Sequence, residues 1–344
     1  MTRYILRRLL QAVPLLVIIT ALLFILTANL GDPLAAFGGD RRRLQPADRA
    51  RLERQLGLDK PVVEQYGIWL IGNDWMRVDL DGDGVPDSYG TRRGVLRGDF
   101  GNSFQERRPA IEVIAERVWN TLLLMVASEV IVIILALLVG TFSALRQYSF
   151  WDHLITTLSF IGYSMPIFWL ALMLIYIFGV NFQRWGLPSL PTVGMYDLNT
   201  GPTVGQVALH MILPLIALSV VSLASYSRYV RSQMLEVIHQ DYIRTAHAKG
   251  LPQRMVLKDH ALKNAALPLV TIVGLDMPLL LGGTVVTEAI FGWPGMGRLF
   301  YKATNAGDIP VIMGILLIIA VLVVVFQLIT DIVYTYFDPR IRYE

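Results

Sequence analysis

Six stretches of this chain are long, apolar and almost free of charge, and no other feature limits its fold as strongly. They cover residues 9–30, 121–142, 155–180, 207–226, 267–290 and 311–334. A helix needs about 20 apolar residues to cross a bilayer. In lipid the backbone must satisfy its own hydrogen bonds, so each stretch is expected to be helical. Composition agrees, with 54% hydrophobic and 17% charged residues among 344, below the roughly 25% charged of soluble domains. There is no cysteine, which excludes disulfides and thiolate metal sites. Arg3, Arg7 and Arg8 precede the first stretch. That stretch is longer than a signal-peptide core and no A-x-A site follows, so it reads as an uncleaved helix. The expected architecture is an all-α membrane protein of six transmembrane helices, with a large loop between the first two.

Basic residues of the short loops set the orientation. Arg3, Arg7, Arg8, Arg146, the segment from Arg228 to Lys263, and Arg340 with Arg342 all fall on one side. The opposite short loops hold only Arg184, Arg298 and Lys302. Both termini are therefore expected in the cytoplasm. The loop at 31–120 is long enough to translocate whatever its charge, and is placed outside. Within it, "PADRARLERQLGL" reads as a helix with proline at its start. "RPAIEVIAERVWN" places Ile111, Ile114, Ala115 and Val118 on one helical face. It is expected to lie in the interface, with Trp119 at headgroup depth. Residues 72–98 are rich in Gly and Asp and read as an ordered loop or small hairpin.

The stretch "DLDGDGVPD" alternates carboxylates with small residues. Asp79, Asp81, Asp83 and Asp87, with the Val85 carbonyl, form a D-x-D-x-D-G-x-x-D pattern that suits calcium, a hard ion taking six to eight oxygens. The position of the EF-hand glutamate is Gly90, so this is no EF-hand. Over these residues it resembles the calcium loops of thrombospondin type 3 repeats. The remaining ligands would come from Asp74, Asp99 or water. The alternative is a solvated acidic turn, since Asp and Gly are turn residues.

Between the fourth and fifth stretches lies a long basic segment, residues 231–268. Asp241 reads as a helix N-cap. Gly250, with Pro252 beyond it, reads as a stop. A second helix is expected from Gln253 to Asn264, ending before Leu267-Pro268. Two short helices at a sharp angle would suit insertion into a groove of a soluble partner, with Gln233 and Met234 helping to seat them.

"DYIRTAHAKGL" and "HALKNAALPLV" resemble the EAA loop of ABC-importer permeases, in the dipeptide/oligopeptide subgroup. The triplet is Arg244-Thr245-Ala246, departing from E-A-A as that subgroup does, with Gly250 six residues after its start. "GYSMPIFWLALMLIYIF", "TEAIFGWPGMGRLFYKA" and the tail "DPRIRYE" resemble it too, so the likeness covers nearly the whole chain. Residues 72–93 look like an insertion. The resemblance implies a type I ABC importer permease fold. Residues 1–30 are then a first helix, 31–120 an outer region, 121–336 a five-helix core containing 231–268, and 337–344 a tail. It implies a second, homologous permease, a pair of ATPase subunits below and a substrate-binding protein above, with lipid around and no nucleic acid. It implies that Asp241, Arg244, Thr245, Ala246, Lys249, Gly250 and Leu251 couple to the ATPase. The chain has no G-x-x-x-x-G-K-[ST], consistent with a non-catalytic subunit that binds no nucleotide.

Asp276 and Glu129 stand inside apolar stretches, where a carboxylate is costly. Each is either a pathway group that meets a polar or cationic part of substrate, or a carboxylate neutralised by a neighbour. Rival classes fit poorly. There is no H-E-x-x-H or G-x-S-x-G for an intramembrane hydrolase. Clear inverted repeats of a stand-alone secondary transporter are missing too. The expected cargo is peptide, with oligosaccharides or nickel complexes as alternatives.

Overall fold

The computed structural model describes residues 2–28, 46–79, 85–86 and 88–337. Its helices are α1 (Thr2–Ala28), α2 (Pro46–Leu56), α3 (Val62–Ile71), α4 (Ala110–Leu145), α5 (Phe150–Ser164), α6 (Ile167–Leu174), α7 (Val204–Ile238), α8 (Asp241–Ala248), α9 (Lys263–Ile290), α10 (Met296–Ala306) and α11 (Ile309–Phe337). Strands β1 (Arg77–Val78) and β2 (Ser88–Tyr89) pair antiparallel. Among the described residues, five helical segments are long and apolar enough to cross a membrane, and a bent sixth runs from Gln253 to Ile290.

Two compact units emerge, Met1–Trp119 with Leu299–Leu322, and Asn120–Arg298 with Val323–Glu344. In the first, Trp69, Val95 and Met313 are buried with Phe24, Tyr66 and Phe100 packed around them. The Tyr66 hydroxyl lies 2.9 Å from Thr20 Oγ1, and the Phe24 and Tyr66 rings meet edge to face. Ser103 Oγ donates to buried Asp308 at 2.5 Å. In the second unit, small residues set the crossings, as close helix packing in lipid requires. Gly140 lies against Ser227 and Val230 of α7, Gly162 against Val220, and Gly274 against Thr330 of α11. Ser128 and Ser219 hydroxyls meet at 3.1 Å between α4 and α7.

Several expectations are corrected. The helix foreseen at 108–120 is the first part of α4, which runs unbroken into the second span. Its buried residues are Ala110, Val113 and Ile114, while Ala115 is exposed, because the unit's core rather than a membrane surface selects the face. The third stretch is broken at Met165-Pro166, both of which take extended dihedrals. Proline has no N–H for the helix ladder and biases its predecessor away from helix. After α6 the chain widens into a π turn at Ile175–Asn181 and ends as Phe182–Arg184. The second helix of the basic segment does not stop before Leu267-Pro268. Gln253–Met255 leads through a π turn, Val256–Leu262, directly into α9.

Candidate functional site

The basic segment presents one face and buries the other. Residues 241–250 are exposed except Ile243 and Ala246, three apart on one side of α8. Both belong to a buried cluster with Val132 and Ala136 of α4, Tyr226 and Met234 of α7, and Ala265 and Leu269 of α9. A short helix of this kind has little stability alone, so its place comes from this apolar seat. The cap is Gln240, with extended dihedrals and no side-chain bond, rather than Asp241, which is the first helical residue. As a carboxylate there, Asp241 complements the helix dipole. Its side chain is 97% exposed and lies 3.8 Å from Arg244, itself 76% exposed. Thr245 Oγ1 donates to the Asp241 carbonyl at 2.9 Å. Gly250 ends the helix at φ +76°, where its N–H meets the His247 carbonyl, and the Leu251 N–H returns to Ala246. Of the residues foreseen as coupling, Asp241, Arg244, Thr245, Lys249 and Gly250 are exposed, Leu251 is half-buried, and Ala246 points inward. Met234 is fully buried beneath α8, so it seats the segment from within.

A second fastening in this unit joins α5 to the end of α7. The Arg231 guanidinium donates to both oxygens of Asp152, at 2.7 and 2.8 Å. Ser143 Oγ and the Tyr148 N–H complete the shell. Asp152 is buried, and Arg231, with help from Ser143 and Tyr148, holds its carboxyl well below the usual range against the opposing effect of burial. Sequence reasoning placed Arg231 among the basic residues and did not single out Asp152. The signal was there, since Asp152 is the only acid in the turn between two spans and follows a Ser149 cap.

Inside the span bundle three carboxylates behave differently. Glu288, which sequence reading missed, is fully buried and fully engaged. Thr121 Oγ1 donates to one oxygen at 2.7 Å and the Arg298 N–H to the other at 2.9 Å. Gly295 packs directly on the carboxylate, where a side chain would overlap it. The Trp293 indole N–H donates to the Asn120 carbonyl and Asn120 Nδ2 returns to Pro294, closing the "GWPG" turn onto α4. Glu129 is also buried, yet neither oxygen has a hydrogen-bond partner, and the buried Tyr226 hydroxyl has none either. The Tyr226 hydroxyl is near the carboxylates of both Glu129 and Asp276. Asp276 is half-buried, and the axis bends by 41° just beyond it, between Met277 and Leu280. The His210 ring nitrogen lies 2.8 Å from the Gln206 carbonyl one turn earlier, which ties it to its own helix.

Of the acidic stretch, Asp79 and Val85 are described, while Asp81, Asp83 and Asp87 lie outside the described residues. The foreseen hairpin is present, with Val78 paired to Ser88. Its neck is a polar clasp. Asn73 exchanges bonds with the Arg92 backbone in both directions, and Gly72 and Gly94 bring their backbones too close for any Cβ. Arg97 holds Asp74 through two bonds, at 2.8 and 2.5 Å, and keeps that carboxyl below its ordinary range. Asp99 accepts from the Arg93 and Gly101 N–H groups. Asp74 and Asp99 are thus engaged with the Arg97 guanidinium and with backbone N–H groups of the hairpin neck. Among the described residues no cluster of three His, Cys, Asp or Glu side chains is placed to hold a metal.

Residues 136–343 match the family described as binding-protein-dependent transport system inner membrane component, and residues 1–125 match that family's N-terminal part. The chain is 42% identical over 345 residues to the oligopeptide transport system permease protein AppB of Bacillus subtilis, covering 100% of both. It is 37% identical over 365 residues to the dipeptide transport system permease protein DppB of Escherichia coli, again covering 100% of both. In fold it resembles a chain of the inward-facing MetNI methionine ABC transporter, with TM-score 0.52, 19% identity, and 66% of this chain and 97% of that one covered.

Proposed function

The chain belongs to the binding-protein-dependent transport system inner membrane components, and on that premise we propose that it is the permease subunit of a peptide ABC importer. The observation that carries this reading is its end-to-end likeness to an oligopeptide and a dipeptide permease. The subunit is non-catalytic. It pairs with a homologous permease in the lipid bilayer of the inner membrane, both termini in the cytoplasm. A substrate-binding protein delivers peptide from outside, and ATPase subunits hydrolyse ATP below.

In this reading α8 is the lever. Its exposed face, with Asp241, Arg244 and Lys249, docks in the ATPase. Ile243 and Ala246 fix it to α4, α7 and α9, so a displacement of α8 reaches three helices at once. Interiors packed at crystal density transmit such strain. The unbroken passage from Gln253 through the π turn into α9 gives a direct covalent route to the fifth span. The acidic stretch supports a second proposal, a structural calcium ion held by Asp79, Asp81, Asp83, Asp87, the Val85 carbonyl and water. The hairpin favours it, because pairing at Val78–Ser88 brings the two ends of the stretch together. Exchanging Asp81 and Asp83 for Asn would then abolish calcium-dependent protection of this loop from protease, and unchanged protection would reject the ion.

The test of the main reading is ATP hydrolysis by the whole complex in liposomes, with its binding protein, challenged with peptide and oligosaccharide pools. Stimulation by peptides is expected. Stimulation by sugars alone would overturn the cargo and leave the lever intact.

A further inference from the structure

Glu129 is the exception among the bundle's buried polar groups described above. Glu288 is saturated with donors, Asp152 has its arginine, and Ser128 and Ser219 bond each other. Glu129 is 2% exposed and Tyr226 0% exposed, and none of their three side-chain oxygens makes a hydrogen bond of normal geometry, although the single Tyr226 hydroxyl lies beside both the Glu129 and the Asp276 carboxylates. One hydroxyl cannot satisfy two carboxylates, and under-satisfied buried carboxylates are among the costliest arrangements in a protein interior. No Lys, Arg or His acts on it among the described residues, and its charged neighbour is a second carboxylate, Asp276. Two carboxylates turned toward one hydroxyl gather acceptors and leave room for a donor-rich cation between them.

We propose that Glu129, Tyr226 and Asp276, from α4, α7 and α9, form a passing site for a primary ammonium group of the transported cargo. This rests on the peptide-permease reading and adds the chemistry that the pathway recognises. An ammonium carries one positive charge and three N–H donors. The cluster supplies three acceptor groups and needs positive charge. A guanidinium is a flat fork of five donors, better matched to a single carboxylate edge. A hard divalent ion would need more oxygens than the described residues cluster here. A carboxylate-bearing end of the cargo would be repelled. Asp276 is the open side of the site, because it is half-buried and its neighbour Leu275 is 67% exposed, whereas Glu129 and Tyr226 lie behind it.

The ammonium is either the peptide's α-amino group or a lysine side chain, and three peptides of one length separate these. One has a free amino terminus and no lysine, one is N-acetylated without lysine, and one is N-acetylated with lysine. Uptake by the whole importer with its binding protein is compared as the variant-to-parent ratio for each peptide, so the binding protein's own preference cancels. Asp276→Asn is expected to cut uptake of peptides bearing an ammonium by about tenfold and to leave the fully acetylated peptide within about twofold. Asp276→Glu is expected to restore most of the loss. Equal loss for all three peptides would make the cluster merely structural and overturn the proposal, as would no loss at all. Failure of the parent complex to move any peptide would instead refute the peptide reading. A second measurement does not depend on the binding protein. The chain has no cysteine, so Leu275→Cys gives this subunit a single thiol, next in sequence to Asp276, whose labelling is read on this subunit's own band. Thiol labelling in the ATP-analogue-trapped complex should slow with free-amine peptide and stay unchanged with the acetylated one. Equal effects of the two, or none, would overturn the site.

Discussion

The basic segment and the acidic hairpin are both charged stretches outside the spans, yet they are fastened in opposite ways. The first is seated by apolar contacts, with Ile243 and Ala246 sunk among residues of three other helices and nearly all its charges turned outward. The second is closed by directional bonds. Asn73, Asp74 and Asp99 each hold backbone or guanidinium groups, and two glycines let the neck close. The difference suits the role proposed for each. A lever needs stiffness shared across several helices, which many small dispersion contacts provide. A loop that only keeps its shape can rely on a few bonds, each worth about 1 kcal/mol net.

The contrast breaks most sharply at Ala246. Ala246→Asp would bury an unpaired carboxylate in the seat, at a cost of several kcal/mol or, roughly, the whole anchoring of α8. Peptide-stimulated ATP hydrolysis should fall by about tenfold or more. Next comes Asp152→Asn, which strands Arg231. Since Arg231 is a quarter exposed, the loss should be about 2 kcal/mol, below the range for fully buried pairs, and visible in thermal unfolding. Its pH dependence has a definite sign. The folded-state pKa of Asp152 is depressed, so its stabilisation is complete above the unfolded value of about 4 and is lost only as pH falls through the lower folded value. The gap in melting temperature between parent and variant should therefore hold constant from about pH 5 to pH 8 and close only in stronger acid.

A smaller effect is expected at the hairpin. Gly94 sits at φ +82° with Ile71 and Gly72 backbone against it. Gly94→Ala should cost about 1–3 kcal/mol locally, raising protease cleavage within residues 72–98 without altering ATPase coupling. The smallest is Gly250→Ala. Its φ of +76° is strained for a side chain but the space around it is open, so about 1 kcal/mol is expected, with a modest fall in coupling. Should Gly94→Ala uncouple transport as strongly as Ala246→Asp, the division of labour between the two regions would be wrong.

Much of this was legible beforehand where the signal was local. The span positions, the stop at Gly250, the helix at Pro46 and the hairpin at 72–98 all appear in the structure near their expected places. Errors arose where packing overrides local pattern. Ala246 looked like a partner-facing residue and is buried, because which side of a helix faces the bundle depends on its neighbours. The end assigned before Leu267-Pro268 failed because the helix begun at Gln253 continues through the π turn into α9 and carries Pro268 in its interior, so packing overrides the local signal. Glu288 was open to the same reasoning that drew attention to Asp276 and Glu129, since all three are carboxylates inside apolar stretches.

Run length and charge asymmetry are properties of a one-dimensional chain, and by themselves they determined a multi-span bundle with one long basic segment. They could not say which carboxylates have partners. Asp152 meets an arginine 79 residues away and Glu288 a threonine 167 residues away, whereas Glu129 meets no cation among the described residues and has only the Tyr226 hydroxyl, 97 residues away, beside it. Those outcomes depend on helix rotation and crossing, which only the packed tertiary structure decides, because side chains on different helices share no sequence register.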